Sequence, residues 1–120
     1  MKDLIALIVF FCFSITGFIV KLPSVFRNYD KELHLLFYLL AGLFLSILLA
    51  KRNYLYHLIC LTILFCFGVF IECCQEASNL FVDKRIHGNF DPEDIMFNTA
   101  GLIVANMIWN IKHIISYLFK

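Results

Sequence analysis

Residues 54–74 read YLYHLICLTILFCFGVFIECC. A helix needs about 20 consecutive, mostly apolar residues to cross the hydrocarbon of a bilayer, and this run supplies them. Its one carboxylate, Glu72, stands near its end among Phe, Val, Ile and Cys. Working outward, three more segments have the same character: residues 4–20, 33–50 and 95–111, the last with an apolar tail reaching Phe119. The connections are residues 21–32, 51–53 and 75–94. No internal repeat, low-complexity segment or linker interrupts the pattern. The expected fold is therefore all-α: an integral membrane four-helix bundle forming a single domain over residues 1–120.

Composition agrees. Of the 120 residues, 62% are hydrophobic and 16% charged, and 14 are Phe; soluble domains have about 45–50% and about 25%. A soluble chain this short exposes much of its surface and needs polar residues to cover it. Disorder, a soluble enzyme domain and a nucleic-acid partner are excluded; a net charge of +1 offers no basic patch for a phosphate backbone. Five cysteines, Cys12, Cys60, Cys66, Cys73 and Cys74, lie in apolar runs. An odd count there reads as buried small hydrophobes rather than a disulfide framework.

Lys2 before an apolar run suggests a signal peptide, but no A-x-A-like cleavage site follows, so the first segment is read as a retained span. The fourth opens on Asp91-Pro92-Glu93-Asp94: Asp91 can cap the helix, proline fits the first helical position, and acids favour the positive end of the dipole. Within it, Gly101 and Ala105 form a small-xxx-small pair that admits a close neighbour. Basic residues divide evenly between the two sides of a four-span topology, so they do not orient it. The acids do not divide evenly: Asp3 alone falls on the side of the termini. With the short Lys51-Arg52 hairpin, this places both termini in the cytoplasm.

Ionisable groups near span ends are costly and are usually paired or functional. Asp30, His34 and Tyr38 are spaced by four, one stripe down a helix on which Lys31 is the adjacent base. Asp30 can orient the His34 imidazole; alternatively, Asp30 is a helix cap and Lys31 an interfacial anchor. Gly68, Glu72, Gln75 and Glu76 share one face. Glu72 should be paired in such surroundings, either as part of a site or as a structural partner of Arg85. Asp94, Asn98 and Gly101 share a face of the fourth span, and Arg85 can bridge carboxylates or bind phosphate through its planar fork. Lys84 and His87 read as solvated loop residues. Antiparallel spans bring all three clusters to one membrane face, away from His57 and His113.

The set Asp30-Lys31-x-x-His34-x-x-x-Tyr38, Ile71-Glu72-x-x-Gln75, Arg85 and Asp94-x-x-x-Asn98-x-x-Gly101 resembles the VanZ-like family of small bacterial membrane proteins, over about residues 28–105. One departure is the stretch after Arg85, which leaves both Asp91 and Asp94 as candidates for the family's acidic position. The resemblance implies a multi-pass protein of the bacterial plasma membrane, and the family's namesake is associated with resistance to teicoplanin, a glycopeptide antibiotic.

Two functions are compatible with these residues. In the first, the protein alters the cell envelope, and with it glycopeptide susceptibility, by binding a membrane lipid or lipid-linked cell-wall precursor in an outward-facing pocket. Asp30, Lys31, His34, Tyr38, Glu72, Gln75, Arg85, Asp91, Asp94 and Asn98 are its candidate binding residues. In the second, it is an intramembrane enzyme on a lipid-linked or phosphate-containing substrate. His34 is then general base or nucleophile, and Glu72 or Asp94 a second acid or base. His34 and carboxylates suit several divalent metals, but their spacing matches no dedicated metal motif; no metal site or cofactor is assigned. A proton-coupled transporter is disfavoured, because the polar residues gather at one face.

Overall fold

The computed structural model describes residues 2–19, 25, 27–50, 53–82 and 89–119. The apolar runs close their backbone hydrogen bonds as helices, and no strand occurs among the described residues. Helix α1 is Lys2–Ile19. A 3-10 turn, Arg27–Tyr29, leads into α2, Asp30–Leu45, which continues as a π-helical turn over Ser46–Ala50. Helix α3 is Tyr54–Phe81 and α4 is Pro92–Leu118. Among the described residues the protein is all-α with four α-helices. Two of them, α2 with its π-helical extension and α3, are long and apolar enough to cross a membrane. Helix α4 is one residue shorter than α3 and carries Asn98, Asn106 and Asn110 along its length.

The helix ends follow local chemistry. Asn53 caps α3 by accepting from the amides of Leu55 at 2.9 Å and Tyr56 at 3.3 Å. Asp91 caps α4 through the Glu93 amide at 2.8 Å, with Pro92 in the first turn. Asp30 is not a cap: Tyr29 holds that position without a side-chain bond, and Asp30 and Glu32 sit in the first turn, where the dipole favours acids. Helix α3 runs beyond residue 74 to Phe81, because Gln75, Glu76 and Ala77 are good helix formers.

The closest pairing is α2 on α4. A Cβ placed on Gly101 would lie 2.4 Å from the Leu35 carbonyl oxygen and 3.0 Å from the Leu39 amide nitrogen, so the two backbones are in near contact. One turn on, Ala105 faces Gly42, where a Cβ would approach the Ala105 methyl to 2.9 Å. The small-residue pair thus seats α4 on α2. Around this seam Tyr38, Ala41, Leu45, Cys60, Leu64 and Leu102 form the core. Helix α1 leans on it through aromatic rings: Phe10 stacks on Phe37 and Phe44, and Phe11 meets Phe67 edge-on. Of the cysteines, only Cys60 is buried; Cys12, Cys66, Cys73 and Cys74 are exposed on apolar faces, against the expectation that all are buried. They fall outside the helix seams.

Polarity is arranged inside out. Phe13, Phe70, Met96, Ile103 and Ile111 face outward, whereas Ser14, His34, Ser46, His57, Glu72, Asp94 and Asn98 are buried. Ser14 donates to the Phe10 carbonyl within α1; the other buried polar groups form two clusters at opposite ends. At the end where the π-helical turn meets α3, Ser46 Oγ lies 2.6 Å from the Gly42 carbonyl oxygen and 2.7 Å from His57 Nδ1, two acceptors that share its one proton. His57 Nε2 donates to Asn106 Oδ1 at 3.1 Å, and the ring stacks on Trp109 at 4.7 Å. A buried histidine with both nitrogens engaged is a packing element.

Candidate functional site

The other end is where α2 starts, α3 ends and α4 starts, as the antiparallel spans predict. His34 and Tyr38 lie one turn apart on the buried face of α2. Asp94 and Asn98 lie one turn apart on the buried face of α4, and Glu72 enters from α3 with 1% of its surface exposed. Space for this convergence comes from Gly68: a Cβ there would lie 2.8 Å from the Tyr38 hydroxyl and 3.0 Å from Asn98 Nδ2.

His34 Nδ1 lies 2.9 Å from Asn98 Oδ1. A carbonyl oxygen only accepts, so Nδ1 carries a proton and donates it to Asn98. Asn98 therefore holds the imidazole through Nδ1, a partner that the stripe on α2 did not include. Asp30 is nonetheless close: Asp30, His34 and Asp94 each bring one metal-ligating type of atom to within 4.8 Å of the others.

Glu72 Oε2 accepts the Asp91 backbone amide at 3.3 Å. This ties the end of α3 to the start of α4. Glu72 Oε1 and Asp94 Oδ1 are buried with no hydrogen-bond partner among the described residues. A buried acceptor left unpaired costs about 1–3 kcal/mol, and more when charged. Two at one site are a specific feature of this end of the bundle. Glu72 also lies within Coulombic reach of Asp94, His34 and Asp91, and Tyr38 within that of Glu72.

The remaining candidates are distributed around this centre. The Asp91 carboxylate caps α4, while Asp94 points into the cluster; the two acids left open by the sequence occupy different positions. Lys31 forms an ion pair with Glu93 across the α2–α4 seam. Gln75 is half-buried and Glu76 exposed, so only part of the α3 polar face turns inward. Arg85, with Lys84 and His87, lies outside the described residues, and so does the Glu72–Arg85 pairing. Sequence reasoning missed the Ser46–His57–Asn106 cluster at the opposite end. The available signal was the i, i+4 pair Asn106 and Asn110 within an apolar run.

Chemically, the site combines an oriented imidazole, two carboxylates with unsatisfied oxygens and a third, Asp30, at the mouth. It can accept hydrogen bonds from amide, hydroxyl or ammonium groups, move a proton at His34 Nε2, or bind a cation. The family model described as VanZ/LLP1 matches residues 4–113 of the chain. No curated protein and no solved structure matches it.

Proposed function

Since the chain belongs to the VanZ/LLP1 family, we propose that it is an integral membrane protein of the bacterial envelope, crossing the plasma membrane four times with both termini cytoplasmic. Its site faces outward and binds the headgroup of a membrane lipid or lipid-linked cell-wall precursor, and through that binding it alters susceptibility to teicoplanin-type glycopeptides. The observation that carries the binding reading is the pair of buried acceptors, Glu72 Oε1 and Asp94 Oδ1, without partners among the described residues. Sugar hydroxyls, amide N–H groups and ammonium groups are the donors that would satisfy them. The membrane reading is supported by the apolar outward faces of all four helices, since lipid is the solvent that favours them.

The test is binding of a labelled lipid-linked precursor to the purified protein in bilayer discs, paired with teicoplanin susceptibility of cells expressing it. Glu72→Gln and Asp94→Asn are expected to weaken binding and abolish any change in susceptibility. Full retention in both variants refutes the binding role. Topology is tested separately by labelling single cysteines introduced at Asn53 and Asn79 in a cysteine-free background. Label reaching position 79 but not 53 from outside is expected; the reverse overturns the orientation.

A second reading, an intramembrane enzyme on a phosphate-containing lipid, is favoured by one observation. The Asn98 contact fixes the orientation of the His34 ring, as a general base requires. Turnover of a lipid-linked substrate, lost in His34→Ala with binding retained, would favour the enzyme over the binding protein.

A further inference from the structure

Three side chains from two helices converge at the mouth of the bundle: Asp30 and His34 from α2 and Asp94 from α4. Their ligand atoms lie within 4.8 Å of one another. Two ligands of a common ion, each at about 2.0–2.2 Å from it, are separated by no more than about 4.4 Å. The observed spacing therefore closes onto an ion with rotamer-scale adjustment. We propose that Asp30, His34 and Asp94 bind one divalent transition-metal ion.

Independent features point the same way. Asp94 is 8% exposed, and its Oδ1 has no hydrogen-bond partner among the described residues. A carboxylate oxygen in that state calls for a donor or a cation. His34 is held as metal-binding histidines are held: one ring nitrogen donates to a fixed oxygen, here Asn98 Oδ1 at 2.9 Å. The electrostatics also favour a cation. Asp94 lies within Coulombic reach of His34, itself one of the three ligands, and of Asp91 and Asp30. Among the described residues the lysine within its reach is Lys31, whose ammonium is paired with Glu93. A buried Asp94 beside two half-buried acids, with the nearby lysine already engaged, is stabilised by an added positive charge.

The donor set indicates the kind of ion. One imidazole and two carboxylates are too oxygen-rich for a thiophilic metal, and the imidazole argues against calcium; zinc and manganese suit the mixture. Three protein ligands leave coordination positions open, as in sites where the metal meets a ligand rather than merely holding the fold. Glu72 Oε1 lies on the α3 side of the same cluster, placed to accept from a group bound there.

The experiment uses the full-length protein in detergent, stripped with a chelator and reloaded with zinc or manganese alone, without lipid. Ion binding is thereby read separately from headgroup binding, and either can fail without the other. About one equivalent of ion per chain is expected. His34→Ala and Asp94→Asn should each weaken it more than tenfold, and Asn98→Ala, which releases the imidazole, about 10–100-fold. His113→Ala, at the opposite end, should retain it. Wild-type protein loaded with manganese should show coupling to one imidazole nitrogen by pulsed electron paramagnetic resonance, a readout that needs no variant to fold. Failure of the wild type to retain an ion, no nitrogen coupling, or an ion unaffected by Asp94→Asn in a folded variant would overturn the proposal.

Discussion

His34 on α2 and Asn98 on α4, 64 residues apart, meet side chain to side chain at 2.9 Å in the buried interior. The contact couples the register of two helices to the orientation of one imidazole. It depends on the α2–α4 seam three residues further along, where Gly101 lets the backbones touch. Tyr38, next on the same face of α2, packs beside Asn98 over Gly68.

Replacing Asn98 by Ala removes the acceptor and leaves the His34 Nδ1–H buried without it. A cost of about 1–3 kcal/mol is expected for an unpaired buried donor, read as a lower unfolding midpoint in detergent. Ligand binding should fall further than stability does, because the ring is no longer held. Asn98→Asp, which keeps an acceptor oxygen in place, should recover part of both. An Asn98→Ala protein with wild-type stability and binding would show that the contact orients nothing.

Asp91 and Asp94 should separate cleanly. The Asp91 side chain caps α4, and its contact to Glu72 is made by the backbone amide. Asparagine caps as well as aspartate, so Asp91→Asn should leave stability and binding nearly unchanged, whereas Asp91→Ala should cost about 1 kcal/mol of stability. Asp94→Asn should instead lose binding with little change in fold. Equal losses in Asp91→Asn and Asp94→Asn would mean that both acids serve the ligand.

Legibility in the sequence followed the range of each interaction. Helix existence is local: the apolar runs, the Asp91-Pro92 start and the Gly101–Ala105 pair sufficed for four helices and for the seam. The convergence of His34, Glu72 and Asp94 was readable because antiparallel order fixes which ends meet. The contact of His34 with Asn98 was not. Asp30 lies four residues away and is visible as a stripe, while Asn98 becomes its neighbour only through the depth of the α2–α4 contact. The proximity of Asp94 to Asp30 and His34 was hidden for the same reason, since it arises through packing rather than along one helix. Glu72 was read as needing a partner; that one oxygen takes the Asp91 amide and the other is left without a partner among the described residues depends on how α3 ends beside α4.

At the opposite end, Ser46→Ala should destabilise without touching the site. It removes the hydroxyl 2.7 Å from His57 Nδ1 in a fully buried setting, for which about 1–3 kcal/mol is expected. The π-helical turn that begins at Ser46 should also relax, since the bond to the Gly42 carbonyl goes with it. Binding per folded molecule is expected to stay at the wild-type value. A variant that folds normally but loses binding would place this cluster in the functional machinery.

The glycines offer a graded test of which contacts are rigid. At Gly17 nothing lies within 4 Å of an added Cβ, so Gly17→Ala should leave the protein unchanged or raise its stability, given a helix preference of up to about 1 kcal/mol. At Gly68 the obstructing atoms are the Tyr38 hydroxyl at 2.8 Å and Asn98 Nδ2 at 3.0 Å. These are ends of side chains that can move, so Gly68→Ala should fold but displace Asn98 from His34, lowering binding more than stability. At Gly101 the obstruction is Leu35 backbone at 2.4 Å. No rotamer relieves it; α2 and α4 must separate, opening the seam at Ala105 and Gly42 as well. Overpacking of this kind costs about 1–3 kcal/mol or more, so Gly101→Ala should lose both stability and binding. The order Gly17, Gly68, Gly101 in unfolding midpoint, with binding already reduced at Gly68, is the expected result. A Gly101→Ala protein as stable as wild type would refute the close α2–α4 approach on which the site's geometry depends.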